Sequence, residues 1–262
     1  MLLSPAVEAA ATAAIAERGH FALAIPGGSV LKMLAGSTPS WAAQTTLAYV
    51  NHKCVAMDDA ALATHAKARA GFLDAGWAGV NAIVLSGSGD ASAEAKEYSA
   101  QLAALPADQL PRTADGLPCF DMAIIGESRA PSFSNLPRPH FPPCVTVTPP
   151  PIRAGVGDDG HVGSLYPNRD EVLATAAWVL PVEMKVPGSI SLSLPVMASA
   201  KNVVIAACGV SEKYPKGKSA AMKRAIEGAE ELQTFPAAGL REAASWIIDE
   251  AAASELSAPY QP

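Results

Sequence analysis

The sequence contains few cysteines, and their spacing matches neither a metal site nor a disulfide-stabilised domain. Cys54, Cys119, Cys144 and Cys208 are far apart in a chain of 262 residues, and they form no CxxC motif and no Cys/His spacing. We therefore expect reduced thiols, no disulfide and no zinc or other metal site. This cysteine usage is typical of a cytoplasm-like compartment.

Long apolar runs and basic runs are also missing. No stretch reaches the roughly 18 to 20 apolar residues of a membrane helix, and the opening MLLSPAVEAAATAAIAERG reads as a first helix instead. Lys and Arg number 19 against 25 Asp and Glu, a formal net charge of −6, which argues against a nucleic-acid surface. We expect a cytoplasmic protein that binds neither membranes nor nucleic acid, or a plastid protein if a targeting extension precedes this chain.

What the sequence does contain is an alternation of short apolar runs and alanine-rich helical segments. Half of the residues are hydrophobic, enough for a large core. The predicted strands are HFALAIP (20–26), KCVAM (53–57), NAIVL (81–85), FDMAIIG (120–126), SISLSLP (189–195), NVVIAACG (202–209) and SWII (245–248), and the predicted helices include 91–105 and 218–227. We predict a single α/β domain over residues 1–262, with three layers and a Rossmann-like, mostly parallel sheet covered by helices on both faces.

One segment, residues 127–155, follows neither period and holds eight of the 22 prolines. Structureless segments of this length are uncommon inside compact domains. The segment is either a surface loop or, on our hypothesis, a retained intron, because 126–129 can be encoded with a GTGAGT donor signal and 154–155 across a terminal CAG. Sequencing the mature transcript tests this hypothesis, and a message that encodes Pro149 to Pro151 would contradict it.

Two glycine turns between a predicted strand and a predicted helix suit an anionic ligand. In PGGS, Gly27 and Gly28 permit close backbone approach, and the amides near Ser29 at the start of a helix favour a phosphate. The alternatives are a plain connection and a Ser29 that merely caps the helix. In GKSAAMKRAIEG, Lys218 lies in a first helical turn, where the helix dipole disfavours a cation unless an anion is bound; a solvated lysine is the alternative.

A third turn, GVGDDGHVGSLYPN (155–168), combines glycines with acids and a histidine. The glycines that permit a tight turn there are Gly155, Gly157 and Gly160. Such a turn beyond the carboxyl end of a strand projects Asp159 and His161 toward a substrate, and histidine suits proton transfer near neutral pH. A polar turn with a solvated histidine is the alternative. Together the three turns indicate a phosphorylated small molecule and proton-transfer chemistry.

These segments resemble the 6-phosphogluconolactonases, which are related to the glucosamine-6-phosphate deaminases. The resemblance covers nearly the whole chain outside 127–155, and GDDGHVGSLYPN is its most specific part, because the deaminases carry Asn-Gly-His with a different tail. It implies hydrolysis of 6-phospho-D-glucono-1,5-lactone to 6-phospho-D-gluconate, the second step of the oxidative pentose phosphate pathway, without a cofactor. It further implies that His161 is the general base and that Asp159 helps to set the site. The residues that it implies for substrate and phosphate binding are Gly27, Gly28, Ser29, Asp58, Gly157, Gly160 and Lys218.

Two departures from the family pattern concern positive charge. The family's Asp-Glu-Arg triplet is here Asp58-Asp59-Ala60, and a second family arginine aligns with Ser189. An alanine removes the fork of donors with which arginine faces a negative charge. Lys185, Arg69 and Lys53 are the candidates to compensate.

The leading hypothesis is therefore an active lactonase that acts as a monomer on a phosphorylated sugar lactone. A second hypothesis is a lactonase-like protein that binds sugar phosphates without turnover, motivated by the missing arginines. The third is a glucosamine-6-phosphate deaminase, whose signature would be ammonia release.

Overall fold

The structure, a computed structural model, describes residues 3–126, 156–207 and 218–257, within which nine strands form two sheets. The strands are β1 (Phe21–Ile25), β2 (Thr45–Tyr49), β3 (Asn51–Lys53), β4 (Asn81–Ala82), β5 (Met122–Ile125), β6 (Val179–Val182), β7 (Ser189–Leu192), β8 (Val203–Ala207) and β9 (Ala244–Ile248). The predicted insertion 127–155 lies outside the described residues, as do Gly155, Cys144 and Cys208.

The larger sheet has six parallel strands in the order β4-β2-β1-β5-β8-β9. All five residues of the central strand β1 are buried, as expected of a strand covered on both faces. Leu23 packs into the apolar cluster on one face and Ala24 into the cluster on the other. Strand β1 pairs with β5 through Leu23 and Met122, two residues that are distant in sequence.

Helices cover both faces of this sheet. They are α1 (Leu3–Arg18), α2 (Ser29–Leu34), α3 (Thr64–Ala68), α4 (Asp74–Gly76), α5 (Ala91–Ala104), α6 (Leu194–Ala198), α7 (Ser219–Glu227) and α8 (Glu250–Ala253). Helices α1 and α2 bury their apolar residues on one face, and α5 to α8 on the other. Helix α5 begins after Asp90, whose carboxylate accepts hydrogen bonds from two first-turn amides. The predicted three-layer α/β fold is confirmed.

A second sheet of three antiparallel strands, in the order β3-β7-β6, lies beside the first. Val50 joins the two sheets, because its N–H donates to the Ile25 carbonyl of β1 and its carbonyl accepts from the Leu192 N–H of β7, both at 2.8 Å. Strand β7 covers 189–192 of the strand predicted over 189–195, and helix α6 begins at Leu194. Strand β6 was not predicted, because Pro181 interrupts its sequence; β6 is an edge strand, where a missing donor is tolerated.

The prediction of a strand over 53–57 is wrong. The chain leaves the small sheet at Lys53, where the Val55 N–H turns back to the Lys53 carbonyl at 3.0 Å. The strand beside β1 is instead β2, which sequence reasoning missed because it opens with two threonines. Both threonines are fully buried, and the Thr46 hydroxyl is hydrogen-bonded to His20 Nε2 at 2.9 Å, which satisfies it inside the protein.

Candidate active site

The three predicted turns follow three adjacent strands at the carboxyl edge of the large sheet. Gly27 and Gly28 follow β1, the histidine turn lies beyond β5, and Lys218 precedes α7, which comes after β8. The chain passes from β1 to β2 on one side and later returns to β5 on the other, so the strand order reverses between β1 and β5. Ligands of open α/β sheets bind at such a reversal, outside the carboxyl ends of the strands.

The Gly-Gly turn brings backbone close to the end of β5. Gly28 has φ +77°, a left-handed conformation that favours glycine, and α2 begins at Ser29. A side chain on Gly126, just after β5, would lie 3.0 Å from Pro26 Cγ and 3.1 Å from Val30 Cγ2. Gly27 is buried in this packing. The contact of this turn with a phosphate stays a prediction.

The histidine turn is closed by backbone hydrogen bonds around Asp159. The Gly160 N–H donates to the Gly157 carbonyl at 2.8 Å, and the Gly157 N–H donates to the His161 carbonyl at 3.0 Å. Val162 and Leu165 then form a short antiparallel bridge that anchors the turn on buried apolar residues. The turn therefore fixes the backbone on both sides of His161.

Both of its inner glycines are required sterically. Gly160 has φ +85°, and a Cβ there would lie 2.3 Å from the ring of Phe235. A Cβ on Gly157 would lie 2.0 Å from His161 Nδ1 and 2.7 Å from an Asp159 carboxylate oxygen. Gly157 therefore makes room for the His161 and Asp159 side chains, and Gly160 makes room for the Phe235 ring against which the turn packs.

Asp159 and His161 form a close hydrogen-bonded pair. Asp159 Oδ1 accepts from His161 Nδ1 at 2.6 Å and from the His161 backbone N–H at 3.1 Å. The hydrogen bond from His161 is the main reason that the pKa of Asp159 is lowered to about 2. An ionised carboxylate only accepts, so Nδ1 carries the donated proton and Nε2 of the neutral ring keeps its lone pair.

The second imidazole nitrogen is available for chemistry. His161 Nε2 forms no hydrogen bond with any other described residue. Its side chain is 13% exposed, whereas that of Asp159 is 53% exposed. A histidine held by a carboxylate, with its free nitrogen shielded but reachable, is the arrangement of a general base.

An aromatic ring and a lysine extend this pair. The Tyr166 ring lies against the His161 ring, with 4.8 Å between centroids and 38° between planes. Lys185 Nζ donates to the Tyr166 hydroxyl at 2.7 Å and lies 4.4 Å from the ring centroid. Sequence reasoning missed Tyr166 as a site residue, because this tyrosine was considered only as part of the GDDGHVGSLYPN segment that carries the family resemblance.

Of the three cations predicted as candidates to compensate, Lys185 reaches this group of residues. Arg69 is engaged in an exposed ion pair with Asp74 at 3.0 Å. Lys53 ends β3 opposite Ser189 of β7, in the small sheet. Of the three candidates, Lys185 is the one whose side chain contacts the residues around His161.

Lys218 is tied to the start of the histidine turn. It is 8% exposed, and its Nζ donates to the Val156 carbonyl at 2.9 Å, one residue before Gly157. Helix α7 begins at the next residue, Ser219, whose hydroxyl donates to Glu255 at 2.9 Å. Lys218 therefore connects two of the three turns, and its contact with a sugar phosphate stays a prediction.

Asp58 forms no hydrogen bond with the described residues of the three turns. It is exposed and forms no hydrogen bond or ion pair with another described residue. Its neighbour Asp59 accepts from the amides of Ala61 and Leu62 at 2.9 and 2.8 Å, which fixes the local loop. Ala60, where the resemblance expects arginine, is exposed as well. The role of Asp58 in binding stays a prediction.

Among the residues that the structure describes, no group of three or more His, Cys, Asp or Glu residues could hold a metal ion. Likewise, none of the helices in the described part of the chain is long and apolar enough to cross a membrane.

Comparison with known proteins places these features in a family context. Residues 3–127 and 152–248 match the family described as glucosamine-6-phosphate isomerases/6-phosphogluconolactonase. The residues between the two matched parts, 128–151, fall inside the predicted insertion, whose nature stays a hypothesis.

Curated relatives and solved structures agree with this match. The 6-phosphogluconolactonase of Rattus norvegicus is 26% identical over 263 residues, 93% of this chain and 84% of the relative. That of Streptomyces coelicolor is 39% identical over 113 residues, 41% of each chain. The structure of the Trypanosoma brucei 6-phosphogluconolactonase aligns with a TM-score of 0.69 at 18% identity, covering 97% of this chain and 92% of that one, a likeness that supports the fold.

Proposed function

Because the chain belongs to the glucosamine-6-phosphate isomerase/6-phosphogluconolactonase family, we propose that it hydrolyses 6-phospho-D-glucono-1,5-lactone to 6-phospho-D-gluconate. The family predicted from the sequence is confirmed by this membership. The observation that carries the proposed activity is the Asp159–His161 pair in its glycine turn, at the strand reversal where ligands of such sheets bind. The relatives of this chain that carry the name 6-phosphogluconolactonase support the lactone as substrate.

In the proposed reaction His161 acts first as a base and then as an acid. Its Nε2 takes a proton from a water molecule as the water oxygen bonds to the lactone carbonyl carbon. The tetrahedral intermediate collapses, the bond from this carbon to the ring oxygen breaks, and the ring oxygen takes the proton from Nε2. The resulting carboxylic acid releases its proton to solvent. The histidine ends the cycle unchanged, so the step needs no redox partner.

Asp159 supports both steps without exchanging a proton itself. With its pKa lowered to about 2, the carboxylate is ionised at neutral pH and holds the Nδ1 proton. This fixes the ring orientation and stabilises the imidazolium that forms when Nε2 is protonated. Tyr166 packs on the same ring and limits its rotation.

A binding protein without turnover is the second candidate function. It is favoured by Ala60 and Ser189, which stand where the resemblance expects arginines that face the substrate's negative charge. Such a protein would bind 6-phosphogluconate but would not accelerate ring opening above the spontaneous rate.

The test is hydrolysis of freshly generated 6-phosphogluconolactone by the full chain, coupled to 6-phosphogluconate dehydrogenase. We expect turnover above spontaneous opening, and a loss of about 10²-fold to 10⁴-fold in His161→Asn. His20→Asn is the matched control, because His20 lies at the amino end of β1, away from the three turns. Turnover in the wild type that survives in His161→Asn would contradict the mechanism, and ammonia release from glucosamine 6-phosphate would favour a deaminase.

We also propose that the enzyme acts as a monomer in the cytoplasm, as expected from the sequence. Sedimentation velocity tests the first proposal, and fractionation of cells with an antibody to the chain tests the second.

A further inference from the structure

The contacts of Lys185 suit the binding of an anionic ligand. Its ammonium lies 2.7 Å from the Tyr166 hydroxyl, and the Tyr166 ring lies 4.8 Å from the ring of the proposed base, His161. Lys185 itself is exposed, so ordering its long side chain against Tyr166 costs rotamer entropy. A lysine that is ordered in this way beside the proposed base indicates a role in the site, which a freely solvated lysine would not.

The positive charge of Lys185 is not neutralised by any carboxylate in the described part of the chain. It forms no ion pair with any carboxylate of the described residues. Several other cations of the described chain do have carboxylate partners: Arg18, Arg69, Arg169, Lys201, Lys223 and Arg224. Lys185 therefore presents a charge that an anion can neutralise, next to the proposed active site.

The same two side chains offer several hydrogen-bond donors. An ammonium has three N–H donors, and Lys185 uses one of them on Tyr166. The phenolic oxygen accepts that bond, so its own O–H is free to donate. A phosphate oxygen accepts such charge-assisted hydrogen bonds strongly, which makes a phosphate a better match than a neutral hydroxyl group.

We propose that Lys185, with the Tyr166 hydroxyl, binds the phosphate group of the lactone and thereby sets the preference for a phosphorylated substrate. This inference rests on the proposed function. In 6-phospho-D-glucono-1,5-lactone the carbonyl carbon C1 and C5, which carries the phosphorylated C6, are both bonded to the ring oxygen, so the carbonyl and the phosphate lie along one edge of the ring. The Tyr166 ring lies 4.8 Å from the His161 ring between centroids and its centroid lies 4.4 Å from Lys185 Nζ, so one lactone can place its carbonyl at His161 and its phosphate at Lys185.

The experiment compares two lactones, 6-phospho-D-glucono-1,5-lactone and the unphosphorylated D-glucono-1,5-lactone, in wild type, Lys185→Met, Lys185→Arg and Tyr166→Phe. In Lys185→Met we expect KM for the phosphorylated lactone to rise about 10-fold to 100-fold, with kcat within about threefold. Tyr166→Phe should raise the same KM by about threefold to tenfold. Lys185→Arg should restore most of the affinity, because a purely structural role would not depend on charge.

Lys96→Met is the matched control, since Lys96 is exposed on α5 and its loss changes the net charge equally. An equal loss of kcat/KM on both lactones in Lys185→Met would overturn the proposal, because Lys185 would then act at the carbonyl end or on the fold. An unchanged KM would overturn it as well.

A calorimetric measurement separates this inference from the proposed function. We expect 6-phosphogluconate to bind the wild type more tightly than gluconate does, and Lys185→Met to lose that difference while Lys96→Met keeps it. A wild type without turnover would refute the lactonase activity, yet the same titration would still decide the role of Lys185. Equal affinities of wild type and Lys185→Met for 6-phosphogluconate would refute the phosphate contact alone.

Discussion

His161 and His52 lie in two regions that use the same side chain in opposite ways. His161 bonds a carboxylate through Nδ1, and its Nε2 has no partner among the described residues. His52, in the small sheet, donates from Nδ1 to the Lys53 carbonyl at 2.7 Å and accepts at Nε2 from the His65 N–H at 3.0 Å. Both nitrogens of His52 are thus occupied by backbone, whereas Nε2 of His161 is the nitrogen that we propose takes a proton from water.

Burial sharpens the difference between the two regions. His52 is 1% exposed, and burial lowers its pKa to about 4. It is neutral at physiological pH and takes up a proton only when its backbone hydrogen bonds break. A candidate base is therefore identified by a histidine that bonds a carboxylate through one ring nitrogen and has no hydrogen-bond partner at the other. Residue type alone does not identify it.

The largest expected effect that distinguishes His52 from His161 is the pH dependence of the free energy of unfolding caused by His52. Between about pH 6.5 and pH 4, the unfolded chain binds a proton that the folded His52 refuses, so the free energy of unfolding falls as the pH falls. For a pKa lowered to about 4, this one site accounts for about 3 kcal/mol over that range. Urea unfolding of wild type and His52→Asn at about pH 7 and pH 4.5 measures it. Identical pH dependence in both proteins would show that His52 is not the titrating group.

A second test displaces the His161 ring while leaving the histidine residue itself in place. In Gly157→Ala the new Cβ would meet Nδ1 at 2.0 Å, so the imidazole must shift, and we expect kcat for the phosphorylated lactone to fall about 100-fold. Gly71→Ala is the control, because a Cβ on Gly71 meets no atom within 4 Å. The assay is the coupled lactone hydrolysis, with circular dichroism to show that both variants fold. Full activity in Gly157→Ala would mean that the Asp159–His161 geometry is not needed.

The smallest expected effect concerns the hydrogen-bond network around His52. The Tyr49 hydroxyl is hydrogen-bonded to His65 Nδ1 at 2.8 Å, inside the network that contains His52. Removing it in Tyr49→Phe should lower the free energy of unfolding by about 1 kcal/mol and leave kcat unchanged. Urea unfolding and the lactone assay measure the two quantities. A clear loss of kcat would show that this network belongs to the active site after all.

Local signals in the sequence were enough for the central strands and the turns. Strands β1, β5 and β8 are continuous apolar runs, and the glycines at 27, 28, 157 and 160 mark the turns that follow or face them. The Asp159–His161 pair was foreseeable because the two residues are neighbours in one tight turn. Its catalytic role, however, was inferred from the family resemblance and not from spacing.

Features that depend on tertiary partners could not be predicted in this way. Thr46 reads as polar, yet it is buried because the distant His20 satisfies its hydroxyl, while the hydroxyl of the neighbouring Thr45 donates to the nearby Trp41 carbonyl. Val55 and Met57 read as a strand, but the chain turns after Lys53. Tyr166 and Lys185 meet through the packing of the small sheet against the histidine turn, and no periodicity links positions so far apart.

The pairing of Leu23 with Met122 also constrains how the protein acquires activity. The central strand must close a loop of most of the first half of the chain before its second neighbour is in place, and such closure is slow relative to helix formation. The crevice between β1 and β5 does not exist until that event. During refolding from denaturant, the helical circular dichroism signal should therefore recover before lactone turnover. The time at which turnover recovers then reports when β1 and β5 have paired.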